Sequence, residues 1–150
     1  MRTYARLADL AALEGQEIGA SDWVAVDQAR IDMFAQATGD APWIHVDPVR
    51  AAAGPFGATV AHGFLTLALL PELSAAAFTI ADVHMGVNYG LDRVRFPSPV
   101  PVGSRLRALC RLKAFAAIEG GAQLTTTVSI EREGGAKPAC VAEWITRHFV

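Results

Sequence analysis

Hydrophobic and polar residues alternate most regularly in the last third of the chain. Leu106, Ala108, Cys110, Leu112 and Ala114 share one parity, while Arg105, Arg107, Arg111 and Lys113 take the other. That period of two marks a strand with one buried face. Gly120-Gly121 turns the chain into a second such run, in which Leu124, Thr126, Val128 and Ile130 alternate with Thr125, Thr127, Ser129 and Glu131. Gly134-Gly135 turns it again into a strand from Ala139 to Val150. Upstream, Val83–Tyr89 and Arg93–Phe96 read as two strand segments, followed by a stiff extended connection, PSPVPVGS, over 97–104. The second half is therefore expected to be an antiparallel meander.

The first half carries a helical period instead. Ile31, Phe34, Ala35 and Thr38 recur on one face, Asp27 is placed to cap the helix start, and Gly39 sits at the expected stop. Pro42 prevents a regular helix from continuing, so Asp40 to His45 is expected as an ordered loop or short turn. Asp47-Pro48 then opens a short helix through Ala53, ended by Gly54-Pro55. From His62 to Ala77 the chain is apolar on nearly every side, which predicts a helix about 24 Å long and wrapped by other structure. Pro71 predicts a kink or early break within it. Nearer the start, one helical turn is expected over Asp9–Leu13 and a short first strand over Ser21–Val26. The economical assembly is an α+β fold in which the antiparallel sheet curls around the apolar helix. At 150 residues, a single domain over 1–150 suffices to hold one core.

Charge narrows the partners. The net charge of -2 and the lack of basic blocks exclude a nucleic-acid footprint and leave small molecules or a second copy as the expected partners. Cys110 and Cys140 lie on inward strand positions without CxxC spacing, as reduced core thiols of a cytoplasmic protein would. No apolar run approaches the ~20 residues that span a bilayer, so no membrane partner is expected.

Candidate chemistry concentrates between Thr38 and Ala77. Asp40 and His45 form a close carboxylate and imidazole pair, suited to taking and giving a proton at one water. Gly63, at the start of the apolar helix, offers a backbone N–H free to hold a developing oxyanion. Taken singly, each residue has a plainer explanation: Asp40 as a turn residue, His45 as a structural histidine, Gly63 as a packing glycine. His62 is expected mainly to bond backbone near the helix start, with a lesser claim to touch substrate. Asn88 has a similar lesser claim beside a role in a sheet bend. The four histidines lack metal spacing, so no metal site is expected, and His84 and His148 read as non-catalytic.

Three stretches together carry a resemblance. ATGDAPWIHVD (37–47), FGATVAHGFLTLALL (56–70) and NYGLDRVRFPSPVPVGSRLRA (88–108) are similar to the MaoC-like (R)-specific enoyl-CoA hydratases of hot-dog fold, especially single-domain actinobacterial and NodN-like members. The resemblance implies reversible hydration of a trans-2-enoyl-CoA to the (R)-3-hydroxyacyl-CoA by a homodimer, without metal or redox cofactor. Asp40 and His45 match the family's catalytic pair, and Gly63 the N–H that binds the thioester oxygen. The match departs at Pro71, where some members carry a polar residue, and at Ala41, which offers no side-chain hydrogen bond. Two other readings use the same fold: an acyl-CoA thioesterase, and a catalytically silent acyl-thioester binding subunit.

Overall fold

A computed structural model describes residues 1–150. The main sheet is antiparallel, with strand order β2-β6-β7-β8-β5. Its members are β2 (Glu17–Ala20), β5 (Met85–Arg95), β6 (Arg105–Ile118), β7 (Gly121–Arg132) and β8 (Cys140–Phe149), with the short β3 (Val24–Ala25) also on β6. The alternating runs of β6 and β7 pair from Leu106 with Arg132 to Ile118 with Gly121. Their inward rows, Leu106, Ala108, Cys110 and Leu112 on β6 and Leu124, Val128 and Ile130 on β7, are wholly buried. Full burial of each leucine, valine and isoleucine in these rows stabilises the fold by roughly 1.5–3 kcal/mol, which makes them the centre of the core.

Against that row lie α4 (Gly63–Ala68) and α5 (Leu70–Ala77), and Leu65, Leu70, Leu73 and Ala77 pack inward. The expected single helix is thus two segments joined at Leu69 (φ -77°, ψ -8°). Pro71 lies in the first turn of α5, where a missing N–H leaves no gap in the ladder, so the break comes just before the proline rather than at it. Bonds from Leu69 N–H to Leu65 and from Leu73 N–H to Leu69 keep the two segments tied. Nor is the pair wrapped all round: Phe64, Ala68, Pro71, Glu72 and Ala75 form an exposed stripe.

The other helices follow the expected signals. Asp27 caps α1 (Gln28–Thr38) by accepting the Arg30 N–H at 2.9 Å, and Asp47 caps α3 (Pro48–Ala52) through the Arg50 N–H at 3.0 Å. The N-terminal region departs from expectation. A 3-10 turn covers Leu7–Leu13, and the predicted strand over 21–26 is replaced by β2 and β3. Between them, Ser21 Oγ accepts the Ala108 N–H at 2.9 Å, which keeps the break attached to β6. Two further strands, β1 (Arg2–Tyr4) and β4 (Phe78–Ile80), pair in parallel as a small separate sheet. The two expected segments over 83–96 form the single β5, bent by irregularities at Asn88–Gly90 and Asp92–Arg95, with Arg93 at φ 51°. Beyond β8 on one side, β5 is an open edge. Cys110 and Cys140 are buried free thiols, each pushed up to about 11 by desolvation. No helix is long and apolar enough to cross a membrane.

Candidate active site

The site begins where α1 ends. Gly39 takes the left-handed conformation (φ 75°), returns its N–H to the Ala35 carbonyl and turns the chain toward Asp40. Pro42 then starts a one-turn helix, α2 (Trp43–Val46), which carries His45 inward. Gln28 holds that turn in place. Its Nε2 donates to the His45 carbonyl at 2.7 Å and to Asp32 Oδ1 at 2.8 Å, while its Oε1 accepts the Thr59 hydroxyl at 2.5 Å. Both N–H donors and one lone pair of Oε1 are thereby engaged, which fixes the amide's orientation.

Two buried imidazoles meet beside Asp40. His45 is 9% exposed and His62 2%, and their rings stack with centroids 3.8 Å apart and planes at 24°. His45 Nδ1 lies 2.6 Å from the Val60 carbonyl. A carbonyl only accepts, so Nδ1 carries the hydrogen and Nε2 of the neutral ring keeps its lone pair. His62 Nε2 lies 2.7 Å from the backbone carbonyl of Asp40, which by the same reasoning makes Nε2 the donor. Its Nδ1 is buried without a protein partner, and Phe34 packs on the ring with centroids 4.9 Å apart. The Asp40 carboxylate is exposed. One side-chain donor atom from each of Asp40, His45 and His62 lies within 4.8 Å of the other two. Two hydrogen bonds of about 2.8 Å through one water span such a gap.

Sequence spacing pairs Asp40 with His45 but does not bring His62 to them. A carboxylate and two imidazoles are a possible ligand set for a metal, but the geometry is unfavourable. Stacked rings send their lone pairs out along nearly parallel planes, whereas ligands of one ion converge on it.

Gly63 follows His62 directly as the first residue of α4, so its N–H belongs to the turn that has no partner within the helix. A Cβ here would come within 3.1 Å of the Phe96 ring, which makes the position one of close packing as well. Asn88 lies away from the Asp40 grouping, on β5, where its Oδ1 accepts the Trp144 indole N–H at 2.5 Å. His84 precedes β5 and His148 sits in β8 against Thr146, so neither joins the cluster. Arg105 and Arg107 pair with Glu133 and Glu131 across the β6–β7 ladder, as arginines of a solvated strand face do. The contributors that residue spacing missed are Gln28, Phe34, Thr59 and Val60. Only the apolar period of α1 could have pointed to Phe34, and nothing local marks the rest.

A cavity of about 410 Å³ lies between α5 and the β5, β7 and β8 strands, bordered by Pro71, Ser74, Asn88, Thr126, Trp144 and Thr146 among others. A second hollow shares Pro71, Asn88 and Trp144 with it and extends to Phe64, Leu67 and Leu91. Together they form a recess along α4 and α5.

Residues 9–133 match the model of the MaoC-like domain. The chain belongs to that family. Within it, the chain is 56% identical over 149 residues to 3-hydroxyacyl-thioester dehydratase Z of Mycobacterium tuberculosis, covering 99% of each protein. It is 50% identical over 144 residues to nodulation protein N of Rhizobium leguminosarum bv. viciae, covering 93% of this chain and 89% of that one. Among solved structures, the (R)-hydratase from A. caviae involved in PHA biosynthesis superposes with a TM-score of 0.71 at 25% identity, covering 89% of this chain and 94% of that one. The fold of this MaoC-like chain is the hot-dog fold.

Proposed function

We propose that this chain catalyses the (R)-specific hydration of trans-2-enoyl-CoA to (R)-3-hydroxyacyl-CoA and the reverse dehydration. The observation that carries the reading is the His45 ring, tied through Nδ1 to the Val60 carbonyl with Nε2 left uncommitted, beside the Asp40 carboxylate. In the forward direction one water lies between Asp40 and His45 Nε2. Asp40 accepts one of its hydrogens and orients it, and Nε2 takes the other as the water oxygen bonds to the β carbon. The electron pair of the double bond moves onto the thioester oxygen, which the Gly63 N–H receives as an oxyanion. The imidazolium then returns its proton to the α carbon, and the carbonyl re-forms. The balance is one water added across one double bond, with no electron acceptor and no cofactor required.

The similarity to a 3-hydroxyacyl-thioester dehydratase and to an (R)-hydratase supports the reaction class and its stereochemistry. The chain is proposed to work as a homodimer. Its β5 edge carries Met85, Val87, Tyr89 and Leu91 exposed beside Phe64 and Phe96, an open strand and apolar patch that a second copy would cover. The buried reduced thiols are in keeping with a cytoplasmic setting.

The decisive assay follows loss of enoyl-thioester absorbance with crotonyl-CoA alongside free-thiol release and product chirality. The expected outcome is consumption without thiol and an (R)-3-hydroxy product. Thiol release would move the assignment to a thioesterase. No turnover across short and medium chains would leave a silent acyl-thioester binding subunit. Light scattering of the purified chain is expected to give the dimer mass, and a monomer would remove the second copy from the proposal.

A further inference from the structure

The inner end of the recess is lined by hydroxyls that hydration does not use. On β7 the inward row runs Ala122, Leu124, Thr126, Val128 and Ile130, all buried, and only Thr126 in it is polar. On the neighbouring β8, Thr146 is buried opposite Leu124, and Ser74 is buried above them on α5. All three border the 410 Å³ cavity. Hydroxyls in a hydrocarbon-rich pocket carry a desolvation cost that valine or alanine at the same positions would avoid. Partners inside the protein offset part of it. Ser74 Oγ reaches the Cys110 sulfur at 3.7 Å, a weak bond, and Thr146 Oγ1 meets His148 Nε2 at 2.9 Å. Burial holds His148 below the usual imidazole range, so it stands there as a neutral, two-sided hydrogen-bonding ring.

The recess has a direction. Its outer part starts at Phe64, next to Gly63, and runs between Leu67 and Leu91, which are apolar. It joins the inner cavity at Pro71, Asn88 and Trp144. At 1.5 Å per residue, Ser74 lies roughly 16 Å along the helices from Gly63. On the hydratase reading, an acyl chain whose thioester sits at the Gly63 N–H enters at Phe64 and passes Leu67 and Leu91 before any of it meets a hydroxyl. A four-carbon acyl group ends well short of them. The cavity is of a size that holds small-molecule groups, whose known range starts at about 300 Å³.

We infer that this site selects an acyl group bearing a hydroxyl or carbonyl oxygen remote from the thioester, and that Thr126 and Thr146 are the residues that recognise it. The inference rests on the hydratase reading of Asp40 and His45. It predicts a substrate that is apolar near the reacting double bond and oxygenated toward its far end. A plain saturated tail would offer Thr126 no partner, and Thr146 none beyond His148, at the moment the cavity is dried, which is the basis on which such pockets discriminate.

The test compares two trans-2-enoyl-CoA substrates of the same medium chain length, one ending in a plain alkyl tail and one carrying a hydroxyl or keto group near its end. Wild type, Thr126→Val, Thr146→Val and Thr126→Ser are assayed, with thermal melts to establish folding. The expected result is a preference of about five- to tenfold in kcat/KM for the oxygenated chain, expressed in KM, lost in either valine variant and kept in the serine variant. Equal use of both substrates by wild type would overturn the inference, as would a preference that survives both valine substitutions. Absence of turnover with every enoyl-CoA would count against the hydratase reading instead. Affinities of the matching saturated acyl-CoAs then decide: tighter binding of the oxygenated one, weakened by Thr126→Val, sustains the inference, and equal binding ends it. Should a valine variant fail to fold, the wild-type preference and the serine variant still decide it.

Discussion

The two ends of the α4–α5 pair use polar groups in opposite ways. Near Gly63, His45, His62 and Gln28 are each committed to a backbone carbonyl, and this leaves a single lone pair on each ring for chemistry or packing. Near Ser74, hydroxyls border space, with partners that are weak or shared. The first arrangement fixes atoms to within the tolerance that proton transfer needs; the second leaves room for a group to arrive. Rigidity and vacancy are placed at opposite ends of one apolar helix pair, so the step that selects a substrate and the step that transforms it are open to separate change.

The sharpest way to break that contrast is at Asp40. Asp40→Asn keeps the shape but removes the negative charge and turns one of the two acceptor oxygens into a donor, and kcat is expected to fall by about 10³-fold with acyl-CoA affinity nearly unchanged. Steady-state kinetics beside a binding titration measures both, and equal loss of binding and folding would make Asp40 a structural residue. His62 comes next. His62→Phe preserves a stacking ring but deletes the Nε2 donor to the Asp40 carbonyl, loosening the loop that carries the carboxylate. A fall of about 10- to 100-fold in kcat with little change in KM is expected, as for a misplaced catalytic group. His62→Gln, which restores a donor, should recover part of it; a phenylalanine variant at wild-type kcat would show that the bond positions nothing.

The smallest effect belongs to the other end and is read in stability. His148 titrates lower in the fold than in the unfolded chain because burial disfavours its charged form. Between the two values the unfolded state binds more protons, so stability is whole above about pH 6.5 and declines as pH falls toward the folded value. Tm measured across that window is expected to drop gently in wild type and less in His148→Gln. Identical slopes would place the acid sensitivity elsewhere.

Sequence and structure agree best where a signal is local. Asp27 and Asp47 are read as caps from one side chain and a following N–H three residues on, and Gly39 as a left-handed stop, because each is decided within one turn of chain. The β6–β7–β8 meander is legible for the same reason, since period-two burial and paired glycines lie within the strands themselves. The short β1, β2 and β4 are not. Their partners are distant, Phe78 for Arg2 and Arg111 for Glu17, and four residues or fewer carry no period. Within the site, Asp40 and His45 stand out by proximity in sequence and by family pattern. His62 is brought to them across 22 residues by the segment that bridges Val60 to Pro101, and its bond to Asp40 uses a backbone carbonyl that no residue type announces. The cavity is a matter of what α5 leaves unfilled against the sheet, which residue spacing does not encode.

The order of strands has a consequence for how the chain is made. The apolar faces of α4 and α5 leave the ribosome before β6, β7 and β8, the strands that bury them, exist. At ~10 residues per second the interval is on the order of ten seconds. Through that time Leu65, Leu70 and Leu73 have only the N-terminal elements for company, and their apolar face stays uncovered until β6, β7 and β8 have been made.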